Sequence, residues 1–208
     1  MGRTSDARNK ILAAAAALIE QRGYWALGVA EICAAAGVPK GSFYYFFESK
    51  QALALAVIDE HWETQRRQWE ALLGSDRDPL QRLRDLFEAT EEVQRASRRK
   101  AGLVAGCLFG NLALELSNQV EEVRLRLQEI FEAQIDLIER VVAEAQAQGL
   151  AAASIDTREA ARSIVAQIEG LVLLAKLLND PAQLESLWRN CLDLLQAPRP
   201  AALDPGRP

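Results

Sequence analysis

Apolar residues recur along this chain at spacings of three and four and almost nowhere in strict alternation, which is the pattern of helices rather than strands. Ile11, Leu12, Ala15, Leu18 and Ile19 share one face and predict a helix over 6–22, stopped at Gly23. Val29, Ile32, Cys33 and Ala36 predict a second over 29–36, stopped at Gly37. Pro39 opens a third, very short one, since proline suits a first helical turn. Ser49 caps a long helix to 73, followed by a loop at 74–76. Further helices are expected over 78–96, 106–116, 118–148, 156–178 and 181–196, with Arg98-Arg99-Lys100 in a solvated loop. Ala, Leu, Glu, Gln and Arg dominate, and all favour helix. The expected fold class is therefore all-α. The tail 197–208 holds four prolines and reads as disordered.

With 208 residues, half of them hydrophobic and a quarter charged, the chain can bury a core without disulfides or a metal. A net charge of −5 excludes a bulk nucleic-acid binder. The charge is uneven: residues 1–50 hold six Lys/Arg against four acids, and the remainder eighteen against twenty-five. An anionic partner for the N-terminal end fits that asymmetry. Cys33, Cys107 and Cys191 are odd in number and lack metal-ligand spacing, so no disulfide framework, zinc site or cofactor is implied, and a reducing cytoplasm is the simplest setting. His61 is the single histidine, which excludes any catalytic scheme needing two. Arg8 and Lys10 ahead of the run 11–19 imitate a secretory signal, but the run ends in Glu20-Gln21-Arg22 and is one-sided. No apolar run approaches the roughly 18 residues of a membrane span.

Two helices joined by a short glycine-bearing turn are the helix-turn-helix pattern. At about 100° per residue, Phe43 and Phe47 share one side of the third helix, while Gly41, Ser42 and Tyr45 lie on the other. The first pair anchors a helix too short to hold itself. The second set, with Lys40 and the helix N-terminal amides, suits a phosphodiester groove, where phosphates take lysines, hydroxyls and backbone N–H groups and base edges take the rest. The plain alternative is that the whole aromatic cluster of GVPKGSFYYFFESK is core.

The stretch VAEICAAAGVPKGSFYYFFESKQALALAV closely resembles the DNA-binding region of the TetR family of bacterial transcriptional repressors, and 8–58 matches in length, glycine placement and aromatic placement. The resemblance implies an N-terminal three-helix DNA-binding domain at 1–50 and a C-terminal helical ligand-binding and dimerisation domain at 51–196. It implies a double-stranded DNA operator, a small-molecule inducer and a homodimer through the helices near 156–178 and 181–196. Carried over, Lys40, Gly41, Ser42 and Tyr45 face the groove, and Tyr44 and Lys50 hold phosphates. Gly28 stands where Ser or Thr often caps the second helix and touches phosphate; glycine caps acceptably but offers only its backbone. Phe46 stands where the family often has tyrosine or histidine. The stripes Ile164, Val165, Ile168, Leu171, Val172, Ala175 and Leu184, Leu187, Trp188, Cys191, Leu195 suit the partner helices, with packing inside one subunit as the alternative.

GCLFGNLALELS at 106–117 further resembles the branch of N-ethylmaleimide-responsive and acrylate-responsive repressors, in which a cysteine of the Gly-Cys-Leu element lies in or near the inducer site; here it is Cys107. A thiolate attacks activated alkenes and oxidants, whereas a buried cysteine is inert. Asn111, one turn on, offers a polar group, and Trp62, Trp69, Phe87 and Phe109 offer apolar walls, with core packing as the alternative for each. Gly102, Gly106 and Gly110, spaced by four, read as a row for close backbone approach. A thiol enzyme built on Cys107 lacks an evident base, and a helical interaction module leaves Ser42 and Tyr45 unexplained. The reading is a ligand-responsive, DNA-binding regulator rather than an enzyme.

Overall fold

A computed structural model of the chain describes residues 2–197, with side chains from Asp6 onward. The described residues form helices and no strand: α1 (Gly2–Arg22), α2 (Val29–Ala36), α3 (Lys40–Phe46), α4 (Lys50–Leu73), α5 (Pro79–Ala101), α6 (Leu108–Leu116), α7 (Glu121–Ala147), α8 (Thr157–Leu178), a 3-10 turn (Pro181–Ser186) and α9 (Leu187–Leu194). The all-α expectation holds. The disorder expected of the tail falls on residues outside the described ones, except for Ala197, which is buried and donates its N–H to the Leu192 carbonyl.

The helix ends follow local chemistry. Gly37 takes φ 65°, and the Gly37 and Val38 amides close α2 on the Ala34 and Cys33 carbonyls, a left-handed terminus that favours glycine. Ser49 Oγ accepts from Ala52 N at 2.9 Å to open α4, and Asp78 with Pro79 opens α5. Asp156 caps α8 by accepting from Glu159 N at 2.9 Å. Three expectations are corrected. Helix α5 continues to Ala101, so Arg98, Arg99 and Lys100 are helical, and their charge favours the C-terminal end of the macrodipole. Gly102 and Gly106 take φ 76° and 85° outside any helix, so the glycine row is a loop and only Gly110 is helical. The last segment begins as the 3-10 turn at Pro181 rather than as one continuous helix.

Two compact units result. Of the described residues, 2–65 together with 105–130 form one, and 66–104 with 131–197 form the other, so α4 and α7 contribute to both. The first unit packs α1, α2 and α3 around Ile11, Ile32 and Phe43, with Phe109 and Leu112 of α6 also buried. Its later segment is tied to the earlier one by Arg126 to Asp59 at 2.7 Å and by Gln51 to Glu122. In the second unit, Arg82 is buried, donates to the Leu73 carbonyl at the end of α4 at 2.7 Å, and pairs with Glu144.

The two stripes assigned to a partner subunit are used within the chain. Ile164, Val165, Ile168, Val172 and Ala175 are buried, as are Leu184, Leu187, Cys191 and Leu195; Leu171 and Trp188 are half-buried. What α8 leaves outside is a different set: Leu173, Leu174, Leu177 and Leu178. No described helix is long and apolar enough to cross a membrane.

Candidate nucleic-acid interface

Helix α3 has seven residues, fewer than an isolated helix needs, so its hold on the unit decides its existence. Phe43 is fully buried and Phe47 almost so, their ring centroids 5.7 Å apart. The Arg8 guanidinium of α1 lies over the Phe47 ring at 5.6 Å. Of the other aromatics, Tyr45 is 73% exposed and Tyr44 59%, while Phe46 is half-buried with its edge on Tyr45. Lys40 and Gly41 are exposed and Ser42 is half-buried. Two rings fasten α3 and two tyrosines face solvent, so the cluster is divided as the 100° spacing requires. Gly28 is the N-cap of α2 in extended conformation, exposed, without a side-chain cap.

Lys50 departs from the expected phosphate contact. Its ammonium donates to the Tyr24 and Leu27 carbonyls, each at 2.9 Å, and sits 4.0 Å from the Tyr24 ring centroid and 5.5 Å from that of Trp25. Burial pushes the Lys50 ammonium below the ordinary lysine range, and the Glu115 carboxylate pulls it partly back. The amides of the same turn are held from the other side. Tyr24 N and Trp25 N donate to Glu115 Oε2 at 2.8 and 3.2 Å, and the Trp25 indole N–H donates to the Glu115 carbonyl at 3.3 Å.

The residues expected at a ligand site fall in both units. In the first, Cys107 is the N-cap of α6, half-buried, its Sγ accepting from Gly110 N at 3.5 Å. The Asn111 side-chain amide donates to the Ala105 carbonyl at 3.2 Å, closing the loop before α6. Phe109 is fully buried with Trp62 and His61 edge-on to it at 6.3 and 5.2 Å, and burial pushes the His61 imidazole below its ordinary value. Trp69 and Phe87 belong to the second unit, where both are buried. A cleft of about 200 Å3 in the first unit is lined by Leu12, Val57, Glu60, His61 and Thr64 among others. No disulfide joins the cysteines, and among the described residues no cluster of His, Cys, Asp and Glu could hold a metal.

Sequence reasoning passed over Glu115, Trp25 and Arg8. For Glu115 a faint signal was present: it is the one charged residue in LFGNLALEL, although a solvated position explains a lone carboxylate equally well. Trp25 and Arg8 carried no such signal, because their partners are set by tertiary contact.

Comparison with known proteins agrees with this layout. Residues 11–57 match the family described as bacterial regulatory proteins of the tetR family, and residues 79–191 match the tetracyclin repressor-like C-terminal domain. The transcriptional regulator AcuR of Cereibacter sphaeroides is 34% identical over 187 residues, covering 89% of this chain and 83% of AcuR. A crystal structure of a regulatory protein TetR from Rhodobacter sphaeroides has a TM-score of 0.81 at 33% identity, covering 89% of this chain and 96% of that one. The crystal structure of Escherichia coli NemR in its reduced form has a TM-score of 0.80 at 26% identity, covering 93% and 100%. With one family description on the helix-turn-helix and a second on the helices that follow, the chain belongs to the TetR family of bacterial transcriptional regulators, helix-turn-helix DNA-binding proteins that respond to ligands and are not enzymes.

Proposed function

We propose that this chain is a homodimeric repressor that a small molecule releases from its operator. The observation that carries the reading is α3, pinned by two buried phenylalanines while Tyr44 and Tyr45 stand in solvent. Lys40, Gly41, Ser42 and Tyr45 meet a major groove, and Tyr44 and the backbone at Gly28 meet phosphates. Lys50 acts by holding the α1–α2 turn rather than by reaching phosphate. Residues 1–50 serve DNA binding, and 51–196 serve ligand binding and dimerisation. The exposed Leu173, Leu174, Leu177 and Leu178 of α8 supply the subunit contact. Each leucine fully buried stabilises by about 1.5–3 kcal/mol. Two heads then span half-sites about 34–36 Å apart.

Within the first unit, the inducer site of this reading is Cys107 and Asn111 with Phe109 and Trp62. An electrophile acts at Cys107: the thiolate adds to the β-carbon of an activated alkene, the C–S bond forms, and the displaced π pair takes up a proton at the α-carbon. The sulfur at the N-terminus of α6, where negative charge is favoured, supports this reading. A non-covalent apolar inducer is the second reading, supported by the buried aromatic rings. To move the DNA-bound population from 99:1 to 1:99, the inducer must prefer the released state by about 5.5 kcal/mol.

The test is fluorescence anisotropy on DNA from upstream of the gene, with and without N-ethylmaleimide, for wild type and Cys107→Ser. Release only when Cys107 is present establishes the thiol switch. Binding that survives the reagent leaves the repressor and points to a non-covalent ligand. Failure of the wild type to bind this DNA or any duplex from a random pool overturns the proposal.

A further inference from the structure

The turn between α1 and α2 is held from two sides by residues far away in sequence. Its carbonyls at Tyr24 and Leu27 receive Lys50, the first residue of α4. Its amides at Tyr24 and Trp25 go to one carboxylate oxygen of Glu115, 91 and 90 residues on. The Trp25 indole adds a third bond to the Glu115 carbonyl. The fit is close: a Cβ built on Gly23, which takes φ +79°, would stand 2.7 Å from Glu115 Oε1. This turn leads directly to Gly28, the N-cap of α2, and α2 carries α3.

We propose that Glu115 is a positioning residue for DNA binding: by gripping the Tyr24 and Trp25 amides it fixes the α1–α2 turn, and so the aim of α2 and α3. The inference rests on the DNA-binding reading above. Glu115 touches no DNA in this scheme. Its loss therefore lowers specific affinity without removing a phosphate contact, and the salt dependence of binding stays as it was. Charge-assisted hydrogen bonds to backbone amides are among the strong ones; the Tyr24 bond at 2.8 Å has that length, and the Trp25 bond at 3.2 Å is a longer, weaker companion. A glutamine keeps one carbonyl oxygen at the same reach but loses the charge and carries NH2 in place of the second oxygen, so it restores only part of the effect.

The experiment uses the full-length protein and a duplex that the wild type enriches from a random pool. Affinity is measured by anisotropy over a salt series for wild type, Glu115→Ala and Glu115→Gln. Helix content and amide exchange at Tyr24 and Trp25 are followed in parallel. The expected result is an affinity loss of at least about tenfold for Glu115→Ala, an intermediate loss for Glu115→Gln and an unchanged salt slope. Exchange at both amides is faster in Glu115→Ala while its helical signal is retained. Affinities within about twofold of wild type for both variants overturn the proposal, as does an affinity loss that appears only with loss of helix in both. Failure of the wild type to enrich any duplex overturns the DNA-binding reading instead.

Discussion

Phe43→Ala and Tyr45→Ala form a matched pair, two residues apart on one seven-residue helix, and the structure requires opposite outcomes. Phe43 has 0% exposure, with Phe47 at 5.7 Å and Tyr44 edge-on at 5.2 Å. Truncating a buried phenylalanine costs about 3–5 kcal/mol, the lost transfer energy plus the cavity left behind. Against a total stability of about 5–15 kcal/mol this is a large share. With a urea slope of about 1–3 kcal/mol per molar, the midpoint falls by at least about 1 M. DNA affinity falls for every sequence alike, because α3 cannot persist once unpinned. Tyr45 is 73% exposed, so Tyr45→Ala stays within about 0.5 kcal/mol of wild type. It changes which duplexes are preferred. The assay is urea denaturation by far-UV circular dichroism at fixed protein concentration, with anisotropy on a panel of duplexes. A Phe43→Ala midpoint equal to wild type, or a Tyr45→Ala midpoint lowered as far as that of Phe43→Ala, would refute the division of the aromatic cluster.

Leu177→Glu places a charge on the exposed leucine face of α8; light scattering after gel filtration is expected to show a monomer with unchanged helix content, and a persistent dimer would refute that face as the contact. Burial holds His61 below the ordinary histidine value of 6.5, so the unfolded chain binds a proton that the folded chain does not. Its contribution to stability is therefore intact above about pH 6.5 and lost as pH falls through the folded value. Because it is the single histidine, one imidazole proton resonance reports it; a midpoint at or above 6.5 contradicts the burial argument. Burial pushes the Cys191 thiol up to about 12 and also raises Cys33, whose pKa Lys40 partly lowers. Iodoacetamide under native conditions is accordingly expected to label Cys107 first by peptide mass spectrometry, and prior labelling of Cys191 would count against the assignment.

Much of this architecture was legible in the sequence by itself. Helices over 29–36 and 156–178, the caps at Ser49 and Asp156, and the split of Phe43 and Phe47 from Tyr45 all follow from neighbours within a turn or two. Such features are local, so the order of residues suffices. Tertiary structure decided the rest. An amphipathic stripe states that a face is buried but not whether the cover is this chain or a second copy. The Ile164–Ile168–Val172 stripe therefore reads equally well either way, and only the fold turns it inward and leaves Leu173, Leu174, Leu177 and Leu178 outside. The glycine row at 102, 106 and 110 has helical spacing, yet left-handed backbone at the first two makes it a loop, which spacing alone does not distinguish. Lys50 carries the same charge whether it meets a phosphate or a carbonyl. Its place on the Tyr24 and Leu27 carbonyls, and that of Glu115 on the facing amides, depend on bringing together segments far apart in sequence, information that periodicity does not hold.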